Sequence, residues 1–136
     1  MGLDPSYLRA HNLELSAIRG TVPISPFLYV EEVAKDRPKT VWGTDEKVWL
    51  QASVKPYIGS GKPPILMIYA DGDDDWRKQG IEQLKTELHA AGTRKVETLQ
   101  VADRDHGSVL TKMSDAADPG VKTIVAFIQG SWGTSE

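Results

Sequence analysis

The residues of this chain best suited to chemistry sit in two short loops. Asp71-Gly72-Asp73-Asp74-Asp75 follows the apolar run Ile65 to Ala70, and Asp103-Arg104-Asp105-His106-Gly107-Ser108 follows the run Val96 to Val101. A carboxylate that orients a histidine base makes two thirds of a nucleophilic triad. In such a triad the histidine takes the proton of a nucleophile and later returns it to the leaving group. Asp73 and His106 suit these roles if the two runs are neighbouring parallel strands, because open α/β sheets place their chemistry beyond the carboxyl ends of the strands. Asp105 is a competing acid, but adjacent residues seldom point at each other, so Asp73 is favoured. A lone loop histidine is usually a surface or capping residue, and position after a strand is what raises His106 above that reading. His11 and His89 have no such setting.

The third member is missing. The serines are Ser6, Ser16, Ser25, Ser53, Ser60, Ser108, Ser114, Ser131 and Ser135, and none lies in a G-x-S-x-G strand-to-helix turn. Ser25 closes a strand-like run, yet Pro26 follows it and lacks the N–H that would form half of an oxyanion hole. With no cysteine there is no thiolate nucleophile, no disulfide and no Cys-ligated metal.

Two further patterns imitate binding sites and fail on detail. Asp71, Asp73 and Asp75, with Glu82 in the twelfth place, have calcium-loop spacing, but Trp76 occupies the sixth place where the sharp turn needs glycine. The acids are better explained by solvent and by the dipole of the helix they open. Gly59-Ser60-Gly61-Lys62 lacks the leading glycine of a phosphate loop, and Pro63 replaces the hydroxyl residue; it reads as a linker. No cofactor and no metal are expected. Trp42, Trp49, Trp76 and Trp132 read mainly as packing residues, with Trp42 and Trp49 placed to line a pocket.

The elements that must hold these loops follow from periodicity. Ile65 to Ala70 and Val96 to Val101 read as buried strands, and Ile81, Leu84, Leu88 and Ala91 mark an amphipathic helix between them that stops at Gly92. A last helix opens at Asp118-Pro119, with Val121, Ile124, Val125 and Ile128 on one face and Gly130 at its end. Upstream, Asp4 to Ala10 reads as a helical turn, and Ile18 to Ser25 as a strand that tolerates Pro23 near an edge. Pro26 to Pro38 is irregular, with a helical turn around Glu31 to Ala34. Thr44 caps a helix from Asp45 to Ala52, and Val54 to Pro64 is loop. Strand and helix alternate, so the expected fold class is α/β, about three parallel strands with helices on both faces.

Composition bounds the remainder. One domain over residues 1–136 suits the length, and 40% hydrophobic with 26% charged residues is ordinary for a globular chain. A net charge of -3 with scattered Lys and Arg argues against nucleic acid as a partner. The longest apolar runs are far too short to span a membrane, and the first residues lack the regions of a signal peptide. The compartment stays open.

With these residues assembled, the chain resembles the carboxy-terminal half of an α/β-hydrolase, nearest to the small carboxylesterase and arylformamidase group that includes kynurenine formamidase relatives. Asp4-Pro5-Ser6-Tyr7-Leu8 resembles the end of the helix after the nucleophile elbow, and Ile18 to Ser25 the sixth strand. Val41 to Trp49, with Ala52-Ser53, resembles the segment before the seventh strand. Pro63 to Asp73 with Arg77-Lys78-Gln79 resembles the seventh strand, acid loop and following helix, and Asp105-His106-Gly107-Ser108 the histidine loop. The resemblance implies Asp73 as triad acid and His106 as general base of an ester or aryl-amide hydrolase. It departs from the pattern in lacking the elbow serine and the glycine-rich oxyanion segment, and Pro26 stands where relatives more often carry glycine. The alternative function is a non-catalytic remnant serving as an interaction or structural domain. The Ile18 to Ser25 edge would lack its fifth-strand neighbour, so the expected partner is a second copy or a chain supplying the nucleophile half.

Overall fold

A computed structural model describes residues 2–32 and 40–132. At its centre lie two parallel strands, β1 (Ile65–Ala70) and β2 (Val96–Val101), in register from Ile65 opposite Val96 to Ala70 opposite Val101. Both have the expected bounds, but β2, expected to be a buried strand, is buried only at Val96 and Val101 and exposes Glu97 and Gln100, because its run mixes polar with apolar residues. All six residues of β1 are buried, which is the environment of a parallel strand covered on both faces.

Successive side chains of β1 serve two cores, as the strand period of two requires. Ile65, Met67 and Tyr69 pack with Ile81, Leu84 and Leu88 of α3 (Asp75–Ala90), the crossover helix, and with Leu28 and Tyr29. Leu66, Ile68 and Ala70 pack on the opposite face with Val101, Val109 and Phe127. Val109 belongs to the short α4 (Ser108–Thr111) and Phe127 to the last helix, α5 (Pro119–Trp132).

The Ile18 to Ser25 run forms a third parallel partner, although not a continuous strand. It meets β1 in two isolated bridges, Thr21 with Ile65 and Ile24 with Ile68. The Thr21 N–H donates to the Pro64 carbonyl, the Leu66 N–H to Thr21, the Ile68 N–H to Pro23, and the Ser25 N–H to Ile68. An unbroken ladder would also send the N–H of residue 23 to the Leu66 carbonyl, and proline has none. Pro23 therefore splits the strand without moving it off register. On the outer side, the N–H groups of Val22 and Ile24 have no hydrogen-bond partner among the described residues.

Several helix expectations need correction. The first helix, α1 (Ser6–Arg9), starts after Asp4, whose carboxylate accepts the Ser6 N–H at 2.9 Å. Asp45, not Thr44, caps α2 (Glu46–Ala52), because its carboxylate reaches the Lys47 N–H at 2.9 Å. The loop from Val54 to Pro64 includes a 3-10 turn, Lys55–Tyr57. Another 3-10 turn covers Val30–Glu32, and the rest of the turn expected near Ala34 lies outside the described residues, as does Ser135. In α5 the buried stripe is Phe127 with Ile124, whereas Val125 and Ile128 are 46% and 39% exposed. The larger aromatic ring sets the rotation of the helix, and Lys95 Nζ lies 4.9 Å over it. α5 also runs through Gly130 to Trp132, a tolerable cost so near a helix end. Among the described residues no helix is long and apolar enough to cross a membrane.

Candidate functional site

The two loops after β1 and β2 are bound to each other before either presents a side chain. The Asp71 N–H continues the ladder to the Val101 carbonyl at 3.1 Å, and the Gly72 N–H reaches the Arg104 carbonyl at 3.0 Å. The Asp71 carboxylate accepts the N–H groups of Asp103 and Arg104 at 2.9 and 3.0 Å. Asp103 holds a left-handed backbone, φ 56°, so that these two amides converge on one acid.

Gly72 makes this approach possible. A Cβ there would lie 2.7 Å from the Arg104 carbonyl oxygen, a backbone atom with no room to yield. Gly72→Ala is expected to destabilise the chain by about 1–3 kcal/mol, the usual cost of overpacking, read as a lower urea midpoint. An unchanged midpoint would show that the loops are not clamped here.

The Asp105 carboxylate turns away from its neighbour. It accepts the Gly107 and Ser108 N–H groups at 3.0 and 2.7 Å, while the Asp105 N–H donates to Ser108 Oγ at 2.8 Å. This reciprocal set opens α4 and leaves His106 at the tip of the turn. His106 Nδ1 then meets Asp73 Oδ1 at 2.7 Å. The Asp73 side chain is 1% exposed and that of His106 is 61% exposed. With the Nδ1 proton directed at the carboxylate, the exposed Nε2 is the free lone pair.

Asp73 is held through both oxygens. Oδ2 takes the Ser25 hydroxyl at 2.6 Å and the Ala70 N–H at 2.9 Å, and Oδ1 lies 3.5 Å from Arg77 Nε as well as against His106. Arg77 also donates from Nη1 to the Ser25 carbonyl at 2.6 Å. Continued pairing would join the Ala70 N–H to the Ser25 carbonyl, and the Asp73 and Arg77 side chains take that pair apart. Sequence reasoning placed Asp73 and His106 but not Ser25 or Arg77. The available signals were Ser25 closing the run beside β1 and Arg77 lying one helical turn beyond Asp73.

Burial raises the cost of charging Asp73, but the Ser25 hydroxyl, the Ala70 N–H and the His106 ring outweigh it and hold the carboxyl below the usual 3.8. Asp118 is also held low: burial opposes it, while Arg104 Nη2 at 3.0 Å and the Gly120 N–H at 2.7 Å prevail. A carboxyl lowered in the folded state gives stability that is fully present above its unfolded value and lost as pH falls through its folded one. The urea midpoint is therefore expected to hold steady from neutral pH to just above 4 and to fall steeply below 3.8. A midpoint that rises on acidification would contradict it.

The acid run does not gather on one centre, since Asp71 binds loop amides and Asp73 points inward. Among the described residues no cluster of three or more His, Cys, Asp or Glu side chains could hold a metal ion. The Gly59 to Lys62 segment is a linker whose Lys62 Nζ donates to the Leu3 carbonyl at 2.8 Å. His89 Nε2 lies 3.2 Å from the Val96 carbonyl. A cavity of about 590 Å³ is lined by residues including Tyr7, Thr21, Pro23, Trp42 and Val48. Neither Asp73 nor His106 contributes to it, and Trp49 instead donates its indole N–H to the Gly43 carbonyl.

No protein-family model matches the chain, and no curated protein sequence does. Solved structures do. Native esterase 2 of the planctomycete Thermogutta terrifontis superposes with a TM-score of 0.63 at 17% identity, covering 93% of this chain and 48% of the esterase. Its propionate-bound form gives 0.61 at 17% identity, over 88% and 45%. The form phosphoramylated by tabun gives 0.62 at 16% identity, over 88% and 44%. This is a partial α/β-hydrolase fold. The chain spans just under half the length of the esterase it matches.

Proposed function

We propose that this chain provides the acid and the general base of a serine-type carboxylic ester hydrolase, Asp73 and His106, and works with a nucleophile from outside these 136 residues. The observation that carries the reading is the 2.7 Å bond from His106 Nδ1 to a buried Asp73, with the opposite nitrogen on a largely exposed ring. In that geometry Nε2 accepts the serine proton as the hydroxyl attacks the acyl carbon, and later protonates the leaving group. Asp73 fixes the tautomer and stabilises the imidazolium between those steps. The esterase with the same fold has been described with propionate bound and phosphonylated by sarin, which supports small acyl esters as substrates and organophosphonates as probes. Within this class the loop residues favour the small carboxylesterase and arylformamidase group, with an ester or aryl amide as substrate.

The partner follows from the same reading. The N–H groups of Val22 and Ile24, without a partner among the described residues, offer a strand-pairing edge, and the cavity lined by Tyr7, Thr21, Pro23, Trp42 and Val48 suits the packing surface of a nucleophile-bearing half. A second copy, joined twofold through this edge, is the competing occupant. The edge and cavity also favour a second function, an interaction domain without catalysis. Sedimentation of the pure chain at tens of micromolar tests the surface, and a monodisperse monomer with no bound partner counts against either occupant.

The purified chain is expected to show little or no hydrolysis of p-nitrophenyl butyrate and no labelling by a fluorophosphonate. Strong turnover abolished by that label, with the adduct on one of its own serines, would overturn the proposal.

A further inference from the structure

We infer that Ser25 is the positioning residue for the acid: its hydroxyl fixes the Asp73 carboxylate so that Oδ1 meets His106. The inference rests on the hydrolase reading, and assigns a role to a serine that has no place as nucleophile.

Three observations carry it. Ser25 is 6% exposed, and its 2.6 Å bond to Oδ2 is among the shortest at the site. A hydroxyl donating to a carboxylate is a strong, directional contact, and it stops the carboxylate rotating Oδ1 away from the imidazole. Second, Ser25 adopts φ 41°, a left-handed backbone that a non-glycine residue seldom takes without reason. Leaving the strand at that angle turns the hydroxyl toward the end of β1. Third, the conformation is held at both backbone ends. The Ser25 N–H donates to the Ile68 carbonyl at 2.7 Å, and its own carbonyl accepts from Arg77 Nη1 at 2.6 Å. Arg77 also faces Asp73, so one guanidinium secures the acid and the residue that aims it.

The geometry excludes Ser25 as the attacking group. Its hydroxyl donates to the acid and not to Nε2 of the base, and so little of the residue is exposed that a substrate carbonyl has no approach. Ser25 also closes the segment whose outer edge is open. The residue that aims the acid is thus one residue from the Ile24 N–H, where a pairing strand would bind.

The test uses the full chain and two variants read by ¹⁵N NMR of the His106 ring. Free imidazole favours the Nε2–H tautomer, so an Nδ1–H tautomer at neutral pH is the signature of the bond to Asp73. Wild type is expected to show Nδ1–H. Ser25→Gly keeps the left-handed backbone accessible while removing the hydroxymethyl group, so it is expected to shift His106 toward Nε2–H and the Asp73 carboxyl titration upward. Ser25→Ala is expected to do the same and to lower the urea midpoint further. Among the described residues, His106 and Arg77 are the charged or titratable groups facing Asp73, and both remain in these variants. If Ser25→Gly keeps the Nδ1–H tautomer and the wild-type Asp73 titration, Ser25 is structural and the inference fails while the hydrolase reading stands. A wild-type chain in the Nε2–H tautomer overturns both.

Discussion

Asp73→Ala is expected to destabilise the chain by about 3–5 kcal/mol, while His106→Ala stays within about 0.5 kcal/mol. The asymmetry follows from burial. Asp73 is 1% exposed and receives the Ser25 hydroxyl, the Ala70 N–H and the His106 ring, with Arg77 beside it. Removing it strands those donors and takes a carboxylate from beside the buried Arg77 guanidinium, which is the costly way to break an ion pair. The His106 ring is 61% exposed, and its loss returns one oxygen of a carboxylate that keeps its other partners. Urea unfolding of the two variants beside wild type checks this. Equal losses, or a larger loss at His106, would mean that Asp73 does not anchor the loops.

The second large effect is on rate. In the proposed assembled hydrolase, Asp73→Asn is expected to lower kcat by about 10⁴-fold and His106→Ala by about 10⁶-fold, on the precedent of triad substitutions. Groups that act as one unit lose their contribution together, so the double variant should fall little below the weaker single variant. The measurement is steady-state hydrolysis of p-nitrophenyl butyrate by the complete enzyme. Multiplying losses would show that Asp73 and His106 act independently, against the 2.7 Å bond between them.

The parts of this fold written locally were legible in the sequence. β1 is an unbroken apolar run and β2 a mixed one, with Val96, Leu99 and Val101 among polar residues, and each is bounded by turns where its pattern ends. Asp73 and His106 could be singled out because parallel strands bring successive loops to the same edge. Ser25 was not legible as a partner of Asp73, since the contact spans 48 residues of sequence and depends on the third segment lying in register with β1. Its positive φ is likewise a tertiary property, imposed by bonds to Ile68 and Arg77. Pro23 signalled an edge position but not that the ladder would resume beyond it. In α5 the 3.6-residue pattern put Val125 and Ile128 on the apolar face, whereas packing against the sheet buries Phe127 instead.

The most direct test recovers this chain from its native cells together with the proposed partner, labels the recovered material with a fluorophosphonate and measures ester turnover with wild-type chain and with His106→Ala. The account predicts that the phosphonate lands on a serine outside these 136 residues and that turnover of p-nitrophenyl butyrate collapses with His106→Ala. A phosphonate adduct on this chain's own serines, or turnover that survives the loss of His106, would contradict it.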